Sequence, residues 1–189
     1  MVRRKLQIRS ARTSQGFSLI EVMFAIVILG IGLMALLAVF AQAVKATSYA
    51  QEDQIAKQKA REALESVYSA RNDTSITFDQ IKNLSNGGIF KDGFVGLYQA
   101  GSNGIVGTGQ DTTTPDRMVL PGPDGLVGTG DDIYVNLNKY TRQILIQDVL
   151  NPDNSVNPDI RKIAVTVRIN SPGRAIRDYT VSGFISRFP

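Results

Sequence analysis

The sequence predicts an α+β fold: one long N-terminal α-helix whose second half packs on a small antiparallel β-sheet. Three observations predict it. Residues 22–41 are 20 consecutive apolar or glycine positions. The helical pattern then runs on to residue 70 unbroken, because no glycine lies between Gly32 and Gly87 and no proline precedes Pro115. Strand patterns fill the C-terminal part, over 140–150, 161–170 and 177–188.

At 1.5 Å per residue the apolar run spans about 30 Å as a helix, the thickness of a bilayer's hydrocarbon core. Ahead of it stand Arg3, Arg4, Lys5, Arg9 and Arg12 with no acid among them. That asymmetry places the N-terminus in the cytoplasm and sends the C-terminal part across. A secretory signal would have an apolar core of about 7 to 15 residues and a small-residue cleavage site after it. Here the run is longer and continues into further helix, so the sequence predicts a retained single span. From Phe17 onward there are 16 bases against 17 acids, and the basic character belongs to the leader alone. A nucleic-acid surface would spread its bases over the folded part.

The chain has no cysteine and no histidine. Disulfides and thiolate metal sites are thereby excluded, and so are the commonest general base and metal ligand. A non-enzymatic role is expected.

Ser14-Gln15-Gly16 interrupts the helical pattern just before Phe17. Cutting after Gly16 would remove all five leader charges and create an α-amine on Phe17. That cation would lie four positions from Glu21, a helical neighbour spacing. A carboxylate at the edge of an apolar span is costly unless such a partner exists.

Gly16-Phe17-Ser18-Leu19-Ile20-Glu21-Val22, behind a basic leader, resembles the class III prepilin signal of type IV pilins and type II secretion pseudopilins. The resemblance implies that a prepilin peptidase cuts between Gly16 and Phe17 and methylates the new amine of Phe17. It also implies that Glu21 attracts the N-terminal amine of a neighbouring subunit during assembly. The implied partners are that peptidase, other major and minor pilins or pseudopilins through helix packing, and an inner-membrane assembly platform. The implied location is the bacterial inner membrane, then a surface pilus or periplasmic pseudopilus. Ile26 to Leu33 looks most like minor pilins of the PilV type, with minor pseudopilins close behind. Major pilins usually carry a proline further along this segment and often a C-terminal disulfide; this chain has neither.

The resulting division is a leader over 1–16, a membrane and filament-core half-helix over 17–44, an amphipathic half over 45–71, and a globular domain over 72–189. Ala56, Ala60, Ala63, Leu64, Val67 and Tyr68 make the apolar stripe of the second half. Lys57, Lys59, Arg61, Glu62 and Glu65 are expected to form a solvated face. Gly30 and Gly32 suit close helix packing or a flexible point. Asn72-Asp73 ends the helix, and Thr74 or Ser75 caps a short helix over 78–84.

In the globular domain, glycine-rich loops occupy 87–132 and antiparallel strands 140–188. Along 161–170, Ile163, Val165, Val167 and Ile169 alternate with Lys162, Ala164, Thr166 and Arg168, the mark of a half-buried strand. "NGIVGTGQD" at 103–111 returns as "DGLVGTGDD" at 124–132, with six of nine positions identical. Two readings stay open for the second copy. Asp124, Asp131 and Asp132 could supply an oxygen cage for calcium, which takes 6–8 oxygens, and the stretch resembles the calcium loop of major pseudopilins. Alternatively the glycines build tight turns and the acids keep them soluble. No cofactor is required by the leading reading, a structural subunit of a pilus or pseudopilus. Its rival is a membrane-anchored module binding calcium or another ligand; an anchored hydrolase has no motif behind it.

Overall fold

The computed structural model of the chain describes residues 16–188, and the five leader bases lie outside them. One helix, α1, runs Leu19–Asn72. The chain divides into two compact units, the first ending at Ser48 and the second beginning at Tyr49.

In the first unit, α1 carries apolar side chains on every face, and Phe17 to Val44 leave them exposed. Mean hydropathy reaches 2.9 over 18 residues, so this helix is long and apolar enough to cross a membrane. A helix hydrophobic all round has no water-facing side. The helix starts at Leu19 rather than at Phe17, because Gly16 to Ser18 remain non-helical. The Ser18 carbonyl accepts the Glu21 and Val22 N–H groups at 3.1 and 3.2 Å, closing the first turn.

The second unit holds the rest of α1 and six strands: β1 (Val95–Gly96), β2 (Arg117–Leu120), β3 (Ile133–Asn136), β4 (Tyr140–Leu150), β5 (Val156–Ile169) and β6 (Arg177–Ser186). β4, β5 and β6 form the expected antiparallel meander, with β1 added on the far side of β4. β2 and β3 pair only with each other. The alternation along β5 is realised as predicted: Ile163, Val165, Val167 and Ile169 are buried, each worth roughly 1.5–3 kcal/mol of transfer free energy.

Against that face sits the stripe of α1. Ala56, Ala60, Ala63, Val67 and Ala70 are fully buried. Small side chains let the helix backbone approach the sheet, and the strand side makes room in turn. A Cβ on Gly183 of β6 would collide with the Tyr68 hydroxyl and lie 3.5 Å from Leu64.

Polar groups tie the two layers at one end. Glu52, only 5% exposed, accepts from Lys139 (2.8 Å), Ser171 (3.0 Å), Arg174 (3.0 Å) and Arg177 (2.8 Å). Burial alone would push its carboxyl up, but the Lys139 and Ser171 hydrogen bonds and the Lys139 and Arg174 charges outweigh it, holding the group below its ordinary 4.5. Burial, with the Glu52 charge beside it, pushes the Tyr140 hydroxyl up to about 12. Arg161 on β5 donates to the Phe78 and Ile81 carbonyls and lies over the Phe78 ring. Arg142 on β4 is fully buried without a hydrogen-bond partner among the described residues. Burial pushes its pKa down; the charges of Glu62, Asp111 and Asp116 oppose that shift.

Three expectations are corrected. The charged face of α1 is not wholly solvated: Lys59 is held by Asp116 at 2.6 Å and Glu62 at 2.8 Å. The short helix over 78–84 is two 3₁₀ turns, Phe78–Gln80 and Leu84–Asn86, and the first is capped by Thr77, whose N–H donates to Gln80 Oε1 at 2.8 Å. The glycine-rich region contains β1 and β2 and leads into β3, and β5 begins at Val156, past a bulge at Asp148/Val149.

Because the Glu52 carboxyl is held low, its contribution is complete above pH 4.5 and is lost as pH falls below it. Glu52→Gln is expected to cost about 1.5–3 kcal/mol at neutral pH, the worth of hydrogen bonds to a charged group. Thermal unfolding across an acid series checks this. The wild-type melting temperature should fall more steeply than the variant's below pH 4.5, and parallel curves would contradict the assignment.

Candidate functional site

The head of α1 brings together the residues that the sequence singles out. Gly16, Phe17 and Ser18 precede the first turn as non-helical, exposed chain. An added Cβ on Gly16 would meet nothing within 4 Å among the described residues. Phe17 is 84% exposed. Glu21 occupies the first turn of α1, where the positive end of the helix dipole favours a carboxylate. Among the described residues it has no ion-pair partner. All other side chains from Leu19 to Phe40 are apolar or glycine, so the acid stands alone at the head of an oily rod.

A family model for the prokaryotic N-terminal methylation motif matches residues 11–37, which span Gly16, Phe17 and Glu21. The chain carries a type IV pilin-like class III signal. Comparison with curated proteins and with solved structures finds no match. The signal supports a pilin or pseudopilin in general, and with the apolar helix fits membrane anchoring.

The two glycine loops of this pilin-like chain have one architecture. Gly104 and Gly125 donate to Gly101 and Gly122, both at 3.0 Å. Ile105 and Leu126 N–H donate to Asn103 Oδ1 (3.2 Å) and Asp124 Oδ1 (2.8 Å). Gly107 and Gly128 N–H donate to Asp111 Oδ2 (3.0 Å) and Asp132 Oδ2 (2.8 Å). Both of these glycines hold a positive φ, 80° and 95°. The Thr108 and Thr129 hydroxyls reach back to the Ile105 and Leu126 carbonyls. The repeated letters are therefore a repeated fold.

The acids proposed as metal ligands serve this architecture. Asp124 supports the Leu126 N–H, Asp132 the Gly128 N–H, and Asp131 accepts from Thr129 Oγ1 (2.6 Å) and the Asp124 N–H (3.2 Å). Those bonds, that from Thr129 foremost, hold the Asp131 carboxyl below the usual carboxylate range. Among the described residues no group of three or more acids converges as a metal site.

Glu52 is the residue that sequence reasoning missed. Its signal was present: it lies four positions before Ala56, on the stripe that continues through Ala60 and Ala63. A charge on an apolar stripe implies buried partners.

The twin loops allow a matched test. Gly107→Ala and Gly128→Ala both force a side chain into the left-handed region, at about 1–2 kcal/mol. Only at Gly107 would the new Cβ also meet Ile144 Cδ1, at 2.5 Å. The Gly107 variant should therefore show the larger drop in melting temperature; equal drops would contradict the packing described.

Proposed function

We propose that the chain is a minor pilin: a membrane-stored structural subunit that joins or primes a type IV pilus after cleavage between Gly16 and Phe17 and methylation of the Phe17 amine. One observation carries the reading. Glu21 heads an apolar, exposed helix with no ion-pair partner among the described residues, and cleavage would create on Phe17 of a neighbouring subunit the cation it lacks. A methylated secondary amine stays cationic, so modification preserves the pairing. Before assembly the N-terminus faces the cytoplasm, α1 crosses the inner membrane, and the globular unit lies in the periplasm. A prepilin peptidase, the assembly platform and sister subunits are the partners.

The PilV-type assignment is supported by the stretch from Ile26 to Leu33 and by the absence of cysteine. A minor pseudopilin of type II secretion is the second reading, favoured by "GPDGLVGTGDDI" at 122–133. In either case Asp124, Asp131 and Asp132 hydrogen-bond within the loop and are read as bracing its turns. Millimolar Ca²⁺ that raised the melting temperature would reassign them.

Mass spectrometry of the cellular protein checks the processing: the chain should begin at N-methylated Phe17, and one beginning earlier would refute the reading. Glu21→Ala should still insert in the membrane but lose a pair worth ~3–5 kcal/mol, or more than a hundredfold in incorporation. Normal incorporation of that variant would remove the role assigned to the carboxylate.

A further inference from the structure

One end of the globular unit is basic, and it is the end at which the chain enters. Tyr49 opens that unit, eight residues after Ala41, the last of the apolar run, or about 12 Å as helix. Two turns meet there: residues 137–139 between β3 and β4, and residues 170–176 between β5 and β6. The Asn170 N–H donates to the Lys139 carbonyl at 2.8 Å and ties them together. The Arg174 guanidinium lies 3.8 Å from the centre of the Tyr49 ring, and that of Arg177 lies 5.4 Å from it.

The charges there do not cancel. Lys139, Arg174 and Arg177 share the single negative charge of buried Glu52, and Asp53 meets Arg177 at 2.6 Å, leaving three bases against two acids. Asp178, which lines one cleft with Asp53 and Arg177, is taken by two Arg168 nitrogens at 2.8 and 2.7 Å. No acid occurs between Glu21 and Glu52, while Lys45 stands exposed one turn before Tyr49. The tip of the second turn is apolar and exposed: Pro172, Gly173, Ala175 and Ile176, with Ile176 at 58% between Arg174 and Arg177. At the other end of β4, the turn over 151–155 carries Asp153 and no base.

An exposed aliphatic tip between guanidinium groups, beside a partly exposed tyrosine, suits a lipid headgroup layer. The bases meet phosphate there, and the apolar groups enter just below. We infer that the turn over 170–176, with Lys139 and Tyr49, docks the globular unit on anionic phospholipid headgroups, an inference that rests on α1 crossing that bilayer. The span keeps the turn close to the surface, so contacts too weak to recruit a free protein suffice. A protein partner would need acids placed against Arg174 and Arg177; an anionic bilayer supplies phosphate anywhere in its plane. In the membrane-stored subunit this contact restrains the globular unit, and extraction into a filament must break it.

The chain has no tryptophan, so single tryptophans report position cleanly. Full-length chains with Ile176→Trp, Leu150→Trp or Phe24→Trp are placed in nanodiscs, zwitterionic or partly anionic, holding no other protein than the scaffold. Quenching is read from lipids spin-labelled at the headgroup or in the acyl chain. The acyl-chain label should quench Phe24→Trp in both mixtures; a failure there removes the span and the docking with it. With the span in place, the headgroup label should quench Ile176→Trp well above Leu150→Trp, an exposed position at the far end of β4, and only in anionic discs. Ala175→Glu, at an exposed tip residue outside the Glu52 network, should lower the docking constant about fivefold, the worth of one charge at an anionic surface. Ala175→Lys should raise it by a similar factor. Quenching at 176 no greater than at 150, equal quenching in zwitterionic discs, or indifference to both Ala175 changes would overturn the docking while leaving the span in place.

Discussion

A single carboxylate at the head of an apolar helix governs how this molecule must live. Glu21 sits in the first turn of α1, where the helix dipole favours it, but every residue from Val22 to Ala41 is apolar or glycine. A charge in such a setting costs on the order of 2.5–3.5 kcal/mol at mid-membrane and less near an edge. That is small enough for the chain to wait in a bilayer and large enough to favour a state in which a cation meets it. Gly16 to Ser18 precede α1 as exposed non-helical chain, and an added Cβ on Gly16 would meet nothing within 4 Å among the described residues.

The globular unit solves a different problem, that of seating a helix on a small sheet. Alanines at 56, 60, 63 and 70 bring the backbone close, and Gly183 accepts Tyr68. Glu52, with Lys139, Arg174 and Arg177, then ties the helix to the strand ends, its buried carboxylate met by three bases. Arg142 is the counterexample: a buried guanidinium compensated only by the field of surrounding acids. The twin loops divide the labour, one closing the core and the other left proud on its hairpin.

Much of this was legible in the residues. Membrane-length apolarity, unbroken helical spacing and the strict alternation of β5 are one-dimensional patterns with one-dimensional causes. The helix ended at Asn72 as its sequence indicates, and the three strands of the meander were foreseen, although β5 starts five residues earlier than its alternation shows. The features that escaped depend on long-range pairing. β1 is two residues long, β2 and β3 four each, too short for periodicity to register. Lys59 reads as a surface charge until Asp116, 57 positions away, is seen beside it. The repeat was visible as letters, but nothing in its letters says that one copy is buried and the other exposed.

On the proposed function, the Glu21 carboxylate meets the Phe17 amine of a neighbouring subunit once assembled. Solid-state NMR on assembled material reads it directly, mixing chains labelled with ¹³C at the Glu21 carboxyl with chains labelled with ¹⁵N at Phe17. The account predicts an intermolecular dipolar contact corresponding to about 4 Å or less. A separation beyond about 6 Å, outside the range of a useful charge pair, would contradict it.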